Sequence, residues 1–194
     1  MARNDDRRAA LADAGIRVLA DEGARGLTHR AVDAAAGTPR GTASNYFPTR
    51  DDLIAALVHR IGQRLTPDPG VVTPPQDRSP DAQLFADYLR DVVRRLATDP
   101  QVPLALFELR LEASRRPAVA AALGAWRQRA FEDDVAFNAE AQLPGGRTEL
   151  ALLHYAIDGL MLDALTVPLD TGLSVDAVVT ELVERILSPP TARP

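Results

Sequence analysis

Arg40, Thr42, Ser44, Asn45 and Tyr46 stand close together in the stretch Thr-Pro-Arg-Gly-Thr-Ala-Ser-Asn-Tyr at 38–46. They bring guanidinium, hydroxyl, amide and phenol groups, the set that hydrogen-bonds base edges and phosphates in a DNA major groove. Two other groupings have the residue types for catalysis or metal binding. His154 and Asp158 lie four apart, as do Glu108 and Glu112, so on a helix each pair shares one face and can supply two ligands or an acid and a base. Neither pair has a nucleophile or third ligand beside it, and Glu112 with Arg116 reads as an i,i+4 ion pair. The sequence contains no phosphate-binding glycine loop, no dinucleotide fingerprint and no Cys/His cluster. Catalytic residues, metal ligands and cofactors are therefore not expected.

The elements that must position 38–46 can be read from capping chemistry. Thr28 is a good N-cap for a short helix with Ala31, Val32 and Ala35 on its apolar face, and Gly37 suits the left-handed residue that ends it. Thr38 is expected to cap the next helix, with Pro39 at its first position, where no amide hydrogen is needed. Pro48 ends that helix and Thr49 caps the one after. Two short helices joined by a tight glycine turn are the pattern of a helix-turn-helix DNA reader. The expected DNA-binding set is Thr28, His29, Arg30, Thr38, Pro39, Arg40, Gly41, Thr42, Ser44, Asn45, Tyr46 and Arg50. Arg40 is placed as a base or phosphate reader, and Arg50, opening a helix, as a phosphate contact.

The stretch from about residue 8 to 65, above all Ala-Ala-Ala-Gly-Thr-Pro-Arg-Gly-Thr-Ala-Ser-Asn-Tyr-Phe-Pro-Thr-Arg-Asp-Asp-Leu, resembles the N-terminal domain of the TetR (tetracycline repressor-like) transcriptional regulators. The resemblance covers roughly a third of the chain. One position departs from the pattern: the family usually has an aromatic residue, most often Tyr, where this chain has Ser44. Tyr46 is then expected to take more of the phosphate contact. The resemblance implies pairing of the last two helices across a homodimer.

Composition agrees with this reading. The 194 residues suffice for a substantial core and no Cys is present, which excludes disulfides and thiolate zinc sites. All 22 basic residues are Arg. Residues 1–64 carry 10 Arg against 8 acidic residues and the remainder 12 against 19, within a net charge of −5. An acidic chain still binds DNA if its cations share a face, and Arg3, Arg7, Arg8, Arg30, Arg40 and Arg50 are placed to do so. With no leader segment and no apolar run near the roughly 18 residues a membrane span needs, a cytoplasmic location is expected.

Helical periodicity continues through the chain with no period-2 segment, so the expected fold is all-α. A first helix over about 6–22 and a helix after Thr49 carrying Leu53, Leu57 and Ile61 complete a helix-turn-helix domain at 1–65. Five prolines at 66–80 predict a loop. A helical effector-binding and dimerisation domain follows at 81–188, then a tail at 189–194. Its helices are expected near 79–99, 104–114, 117–143, 148–167 and 174–187. The last two are apolar enough to need a partner, through Leu153, Ile157, Leu160, Val178, Val179, Leu182 and Ile186. Gly159 costs roughly 1 kcal/mol within a helix, and a close helix approach would account for it. Phe85, Tyr88, Phe107, Arg110, Trp126, Phe131, His154, Tyr155, Asp158 and Met161 are the candidate pocket residues for an apolar or amphipathic effector. The expected function is a homodimeric repressor that binds a palindromic operator in double-stranded DNA and is released by a small molecule. An activator, or a helical binding dimer without operator function, are the alternatives.

Overall fold

The computed structural model describes residues 2–67 and 78–188, with side chains from Asn4 onward. Most of the Pro-rich segment, the 189–194 tail and the Arg3 side chain fall outside the described residues. The architecture is all-helical, with nine helices and no strand among the described residues. They are α1 (Ala2–Gly26), α2 (His29–Ala35), α3 (Thr42–Tyr46), α4 (Arg50–Leu65), α5 (Ala82–Thr98), α6 (Gln101–Ala113), α7 (Pro117–Glu140), α8 (Arg147–Leu165) and α9 (Val175–Leu187). None of these helices is long and apolar enough to cross a membrane.

Two compact units form, Met1–Thr66 with Asp99–Arg129, and Pro67–Thr98 with Ala130–Pro194. The packing therefore divides the chain differently from the Pro-rich loop, because α6 and the first half of α7 fold with the N-terminal helices. Leu11, Ala14, Ile16, Val18 and Leu19 of α1 are all buried, a wider apolar surface than α2 and α4 cover. Val102, Ala105, Leu106 and Leu109 of α6 are buried in the same core. At its end α1 breaks at Gly23, whose φ of 69° and ψ of −176° interrupt the helix. The Ala24 N–H freed there donates to the Glu108 carboxylate of α6 at 3.3 Å. Asp13 of α1 accepts from Arg60 at 2.8 and 2.9 Å and from Arg64 at 3.3 Å, and Arg64 also pairs with Asp99.

The first unit also depends on one close approach. A Cβ at Gly62 of α4 would lie 2.5 Å from Nε1 and 3.1 Å from Cδ1 of Trp126 on α7. Gly62→Ala gains about 1 kcal/mol of helix propensity. Displacing the indole costs about 1–3 kcal/mol. We expect a net loss of stability together with a shifted emission spectrum, and Trp126 is the chain's single Trp, so fluorescence reports this site alone. Increased stability with unchanged emission would show that the indole does not lock onto α4.

In the second unit Leu84 and Phe85 of α5, Leu150 and Leu153 of α8 and Val183 of α9 share a core. The corner between α7 and α8 is held by Asn138, whose Nδ2 donates to the carbonyls of Leu143 at 3.3 Å and Gly145 at 3.1 Å. Ser174 caps α9 by accepting from the Ala177 N–H at 3.2 Å.

Candidate nucleic-acid interface

The helix-turn-helix is built around a carboxylate that pattern reading overlooked. Asp33, on α2, is 2% exposed. Its Oδ2 accepts from the Gly41 N–H at 2.8 Å, and its Oδ1 from the Ala43 N–H at 2.7 Å and the Thr38 hydroxyl at 3.3 Å. These are amides at the N-terminus of α3, which have no partner within the helix. One buried side chain thus ties the turn and the second helix to the first. The signal available in the sequence was an acidic residue four positions before Gly37, set among Ala31, Val32, Ala34, Ala35 and Ala36.

This anchor shifts the start of α3. The sequence placed Thr38 as the cap and Pro39 as the first helical residue, whereas the helix begins at Thr42 after Gly41, which has a φ of 88°. The physical reason is that Asp33 receives the Gly41 and Ala43 N–H groups and so supplies the cap itself, with left-handed Gly41 directly before the helix. Gly41 takes a left-handed conformation that costs a residue with a Cβ more. Gly37, with a φ of 62°, ends α2 as its position suggested.

Thr28 caps α2 by accepting from the Ala31 N–H at 3.1 Å. Thr49 caps α4 in a reciprocal box with Asp52, and the hydrogen bonds from Thr49 hold the Asp52 carboxyl below its ordinary pKa. On the outer surface Arg30, Pro39, Arg40, Gly41, Ser44 and Asn45 are exposed. The Thr42 hydroxyl donates to the Pro39 carbonyl at 2.6 Å, and the Ser44 hydroxyl to the Gly41 carbonyl at 3.0 Å. Tyr46 is half-buried against the first core. His29 is turned inward, its Nε2 2.6 Å from the Phe47 carbonyl oxygen. Arg8 of α1 bonds to the Tyr46 carbonyl at 3.1 Å and stacks over Phe47, 4.7 Å from the ring centroid.

Arg50, expected as a phosphate contact, is engaged internally in the structure. Its guanidinium donates to the Ala24 carbonyl at 2.5 Å and to that of Leu27. Carbonyls at the C-terminal end of α1 carry the negative end of the helix dipole, and a cation opposite them is favoured. The Ala24 peptide is therefore held on both sides, by Glu108 at its N–H and by Arg50 at its oxygen. We expect Arg50→Ala to cost about 1.5–3 kcal/mol of stability, the range for hydrogen bonds to a charged group. The slope of DNA affinity against salt should be unchanged. A slope reduced by about 1 with intact stability would restore the phosphate contact.

The candidate pocket residues divide between the two units. Phe107, Arg110 and Trp126 belong to the first, with the Arg110 guanidinium 5.9 Å from the Phe107 ring centroid. Phe85 and Met161 are buried in the second, where Phe131 meets His154 edge-on at 5.2 Å and Tyr88 meets Phe137 edge-on at 5.3 Å. The Tyr88 hydroxyl is buried with no hydrogen-bond partner among the described residues. His154 pairs with Asp134 of α7 at 3.0 Å. Asp158 is half-buried and Tyr155 is 69% exposed. A cleft of about 350 Å³ at the α7–α8 corner is lined by Val135, Asn138, Leu143 and Leu150 among others, and by none of the ten candidates.

The partner-facing set also needs correction. Leu153, Ile157 and Val179 are 2%, 8% and 0% exposed within a single chain, so a second subunit has little left to cover there. Leu160, Val178, Leu182 and Ile186 are half-buried. The uncovered apolar surface of α8 lies beside them, at Leu152, Tyr155 and Leu162, and Gly159 on the same stripe faces open space. Spacings of three and four residues align these positions along one helix face.

Two family models match the chain, Bacterial regulatory proteins, tetR family, over residues 11–57, and Tetracyclin repressor-like, C-terminal domain, over residues 80–189. The chain belongs to the TetR family. This TetR-family regulator is a transcriptional regulator and not an enzyme. No curated protein matches it. Among solved structures it is similar to the multidrug binding protein EbrR complexed with imidazole, at 29% identity over 97% of this chain and 98% of that one, with a TM-score of 0.63. The EbrR complex with ethidium matches at 26% identity over 94% and 99%, with a TM-score of 0.66. A TetR-family member from Streptomyces coelicolor A3 matches at 28% identity over 94% and 99%, with a TM-score of 0.68.

Proposed function

We propose that this TetR-family regulator is a homodimeric repressor that binds a palindromic operator and is released by a small organic effector. The observation that carries the reading is the buried Asp33 anchor, which fixes α3 with Arg40 and Asn45 facing outward. One short recognition helix reads only a few base pairs. Two helices about one DNA turn apart, roughly 34 Å, read a two-fold operator. The exposed stripe Leu152, Tyr155, Gly159 and Leu162 is the surface through which we expect the second subunit to pair. EbrR, a similar protein, was crystallised with ethidium and with imidazole, which supports an aromatic effector here too. The expected contacts are Phe85, Tyr88, Phe131 and His154 of the second unit, which lie outside the α7–α8 cleft and must part to admit the effector, and the buried, unpartnered Tyr88 hydroxyl would be its polar partner.

A mobility-shift assay with DNA flanking the chain's own gene tests the reading, run with and without ethidium. Retardation at a discrete site with dimer stoichiometry, reversed by ethidium at concentrations that leave an unrelated repressor–operator complex intact, is the expected result, the control excluding intercalation into the DNA. Discrete binding indifferent to ethidium would reject that effector class, and absence of any discrete binding would favour a binding dimer without operator function.

A further inference from the structure

Resting on the operator-reading role just proposed, the hydrogen-bond inventory of the recognition surface narrows the choice of base readers. Thr42 and Ser44 each spend their hydroxyl proton on a backbone carbonyl, of Pro39 and Gly41 respectively. Thr38 spends its proton on Asp33, His29 is engaged with the Phe47 carbonyl, and Arg50 and Arg8 are tied to backbone oxygens. Tyr46 is half-buried. Arg30 is exposed but sits on α2, the helix that crosses the DNA backbone in this motif. On α3 and the turn before it, Arg40 and Asn45 are the exposed side chains whose polar groups make no hydrogen bond to another described residue.

Their chemistries differ in a way that assigns bases. An Asn amide offers one acceptor and two donors side by side, which matches the N6 donor and N7 acceptor of adenine and no other major-groove edge as a bidentate pair. An Arg guanidinium offers paired donors, which match the O6 and N7 acceptors of guanine. We propose that sequence discrimination in each operator half-site rests on Asn45 reading an adenine and Arg40 reading a guanine. Thr42 and Ser44, their protons already committed, keep acceptor lone pairs but cannot form a bidentate pair, and they supply the surrounding surface.

Selection from a random double-stranded DNA pool tests this with the full-length chain and its Asn45→Ala, Arg40→Ala, Thr42→Ala and Ser44→Ala variants. Wild type should enrich a two-fold motif with one invariant A·T and one invariant G·C pair in each half. Asn45→Ala should enrich the same motif with the A·T position degenerate, and Arg40→Ala the same with the G·C position degenerate. Thr42→Ala and Ser44→Ala should keep the wild-type motif. In direct titration, changing the assigned adenine should weaken wild-type binding roughly 10-fold. The same change should leave Asn45→Ala binding unaltered, which separates base reading from a general loss of fit. An Asn45→Ala motif identical to wild type, or a motif that changes with Thr42 or Ser44 instead, would overturn the assignment while leaving the operator reading intact. If wild type enriches no sequence, the operator reading fails and the base assignment falls with it.

Discussion

Replacing Asp33 with Ala is expected to abolish operator binding and to cost about 3–6 kcal/mol of stability, although the residue touches no DNA. Its carboxylate receives the N–H groups of Gly41 and Ala43 and the Thr38 hydroxyl in a site 2% exposed to solvent. Each hydrogen bond to a charged group is worth about 1.5–3 kcal/mol, and donors left buried without a partner add their own desolvation cost. Domains have only about 5–15 kcal/mol in hand. Asp33→Asn keeps the shape but turns one acceptor into a donor facing an N–H, so it should recover only part of the loss. Denaturant melts measure the cost, and a variant within about 0.5 kcal/mol of wild type would mean that α3 docks on its apolar face, through Ala43 and Phe47, without help from this carboxylate.

An arginine at Leu162 or Tyr155 should yield folded monomers whose operator affinity falls by about 10²–10⁴. Linking two readers makes the second binding event intramolecular, and the loss of that effective concentration sets the range. Both side chains are exposed in the single chain, at 47% and 69%, so a charge there does not disturb the subunit's own core. The same substitution at Leu153 or Val179 buries an unpaired charge and should unfold the second unit instead. Sedimentation and circular dichroism separate the two outcomes. A Leu162→Arg chain that remains dimeric would move the partner surface off α8.

Much of this architecture was legible because the information is local. Thr28 and Thr49 cap α2 and α4 from their own positions in the chain, Ser174 caps α9, Gly37 ends α2, and Pro117 opens α7. Such interactions span three or four residues, so the sequence lists both partners within one helical turn. The helix-turn-helix and the all-α fold follow from the same local signals, and the segment at 34–53 carried the resemblance to the family.

Three features depended on contacts between residues far apart in the sequence. Arg50 stands at a helix N-terminus, where local reasoning expects an anion partner, but the carbonyls of Ala24 and Leu27 lie within its reach and engage its guanidinium. Asp33 became the anchor of the reader because the turn brings the Gly41 and Ala43 amides onto its two oxygens. The apolar face of α8 formed by Leu150, Leu153, Ile157, Leu160 and Met161 was legible from its spacing, but what covers that face was not. Spacing shows a face and not its occupant, and only packing with α5 and α9 decided that Leu153 and Ile157 are covered within the single chain while Leu152, Tyr155 and Leu162 remain outside.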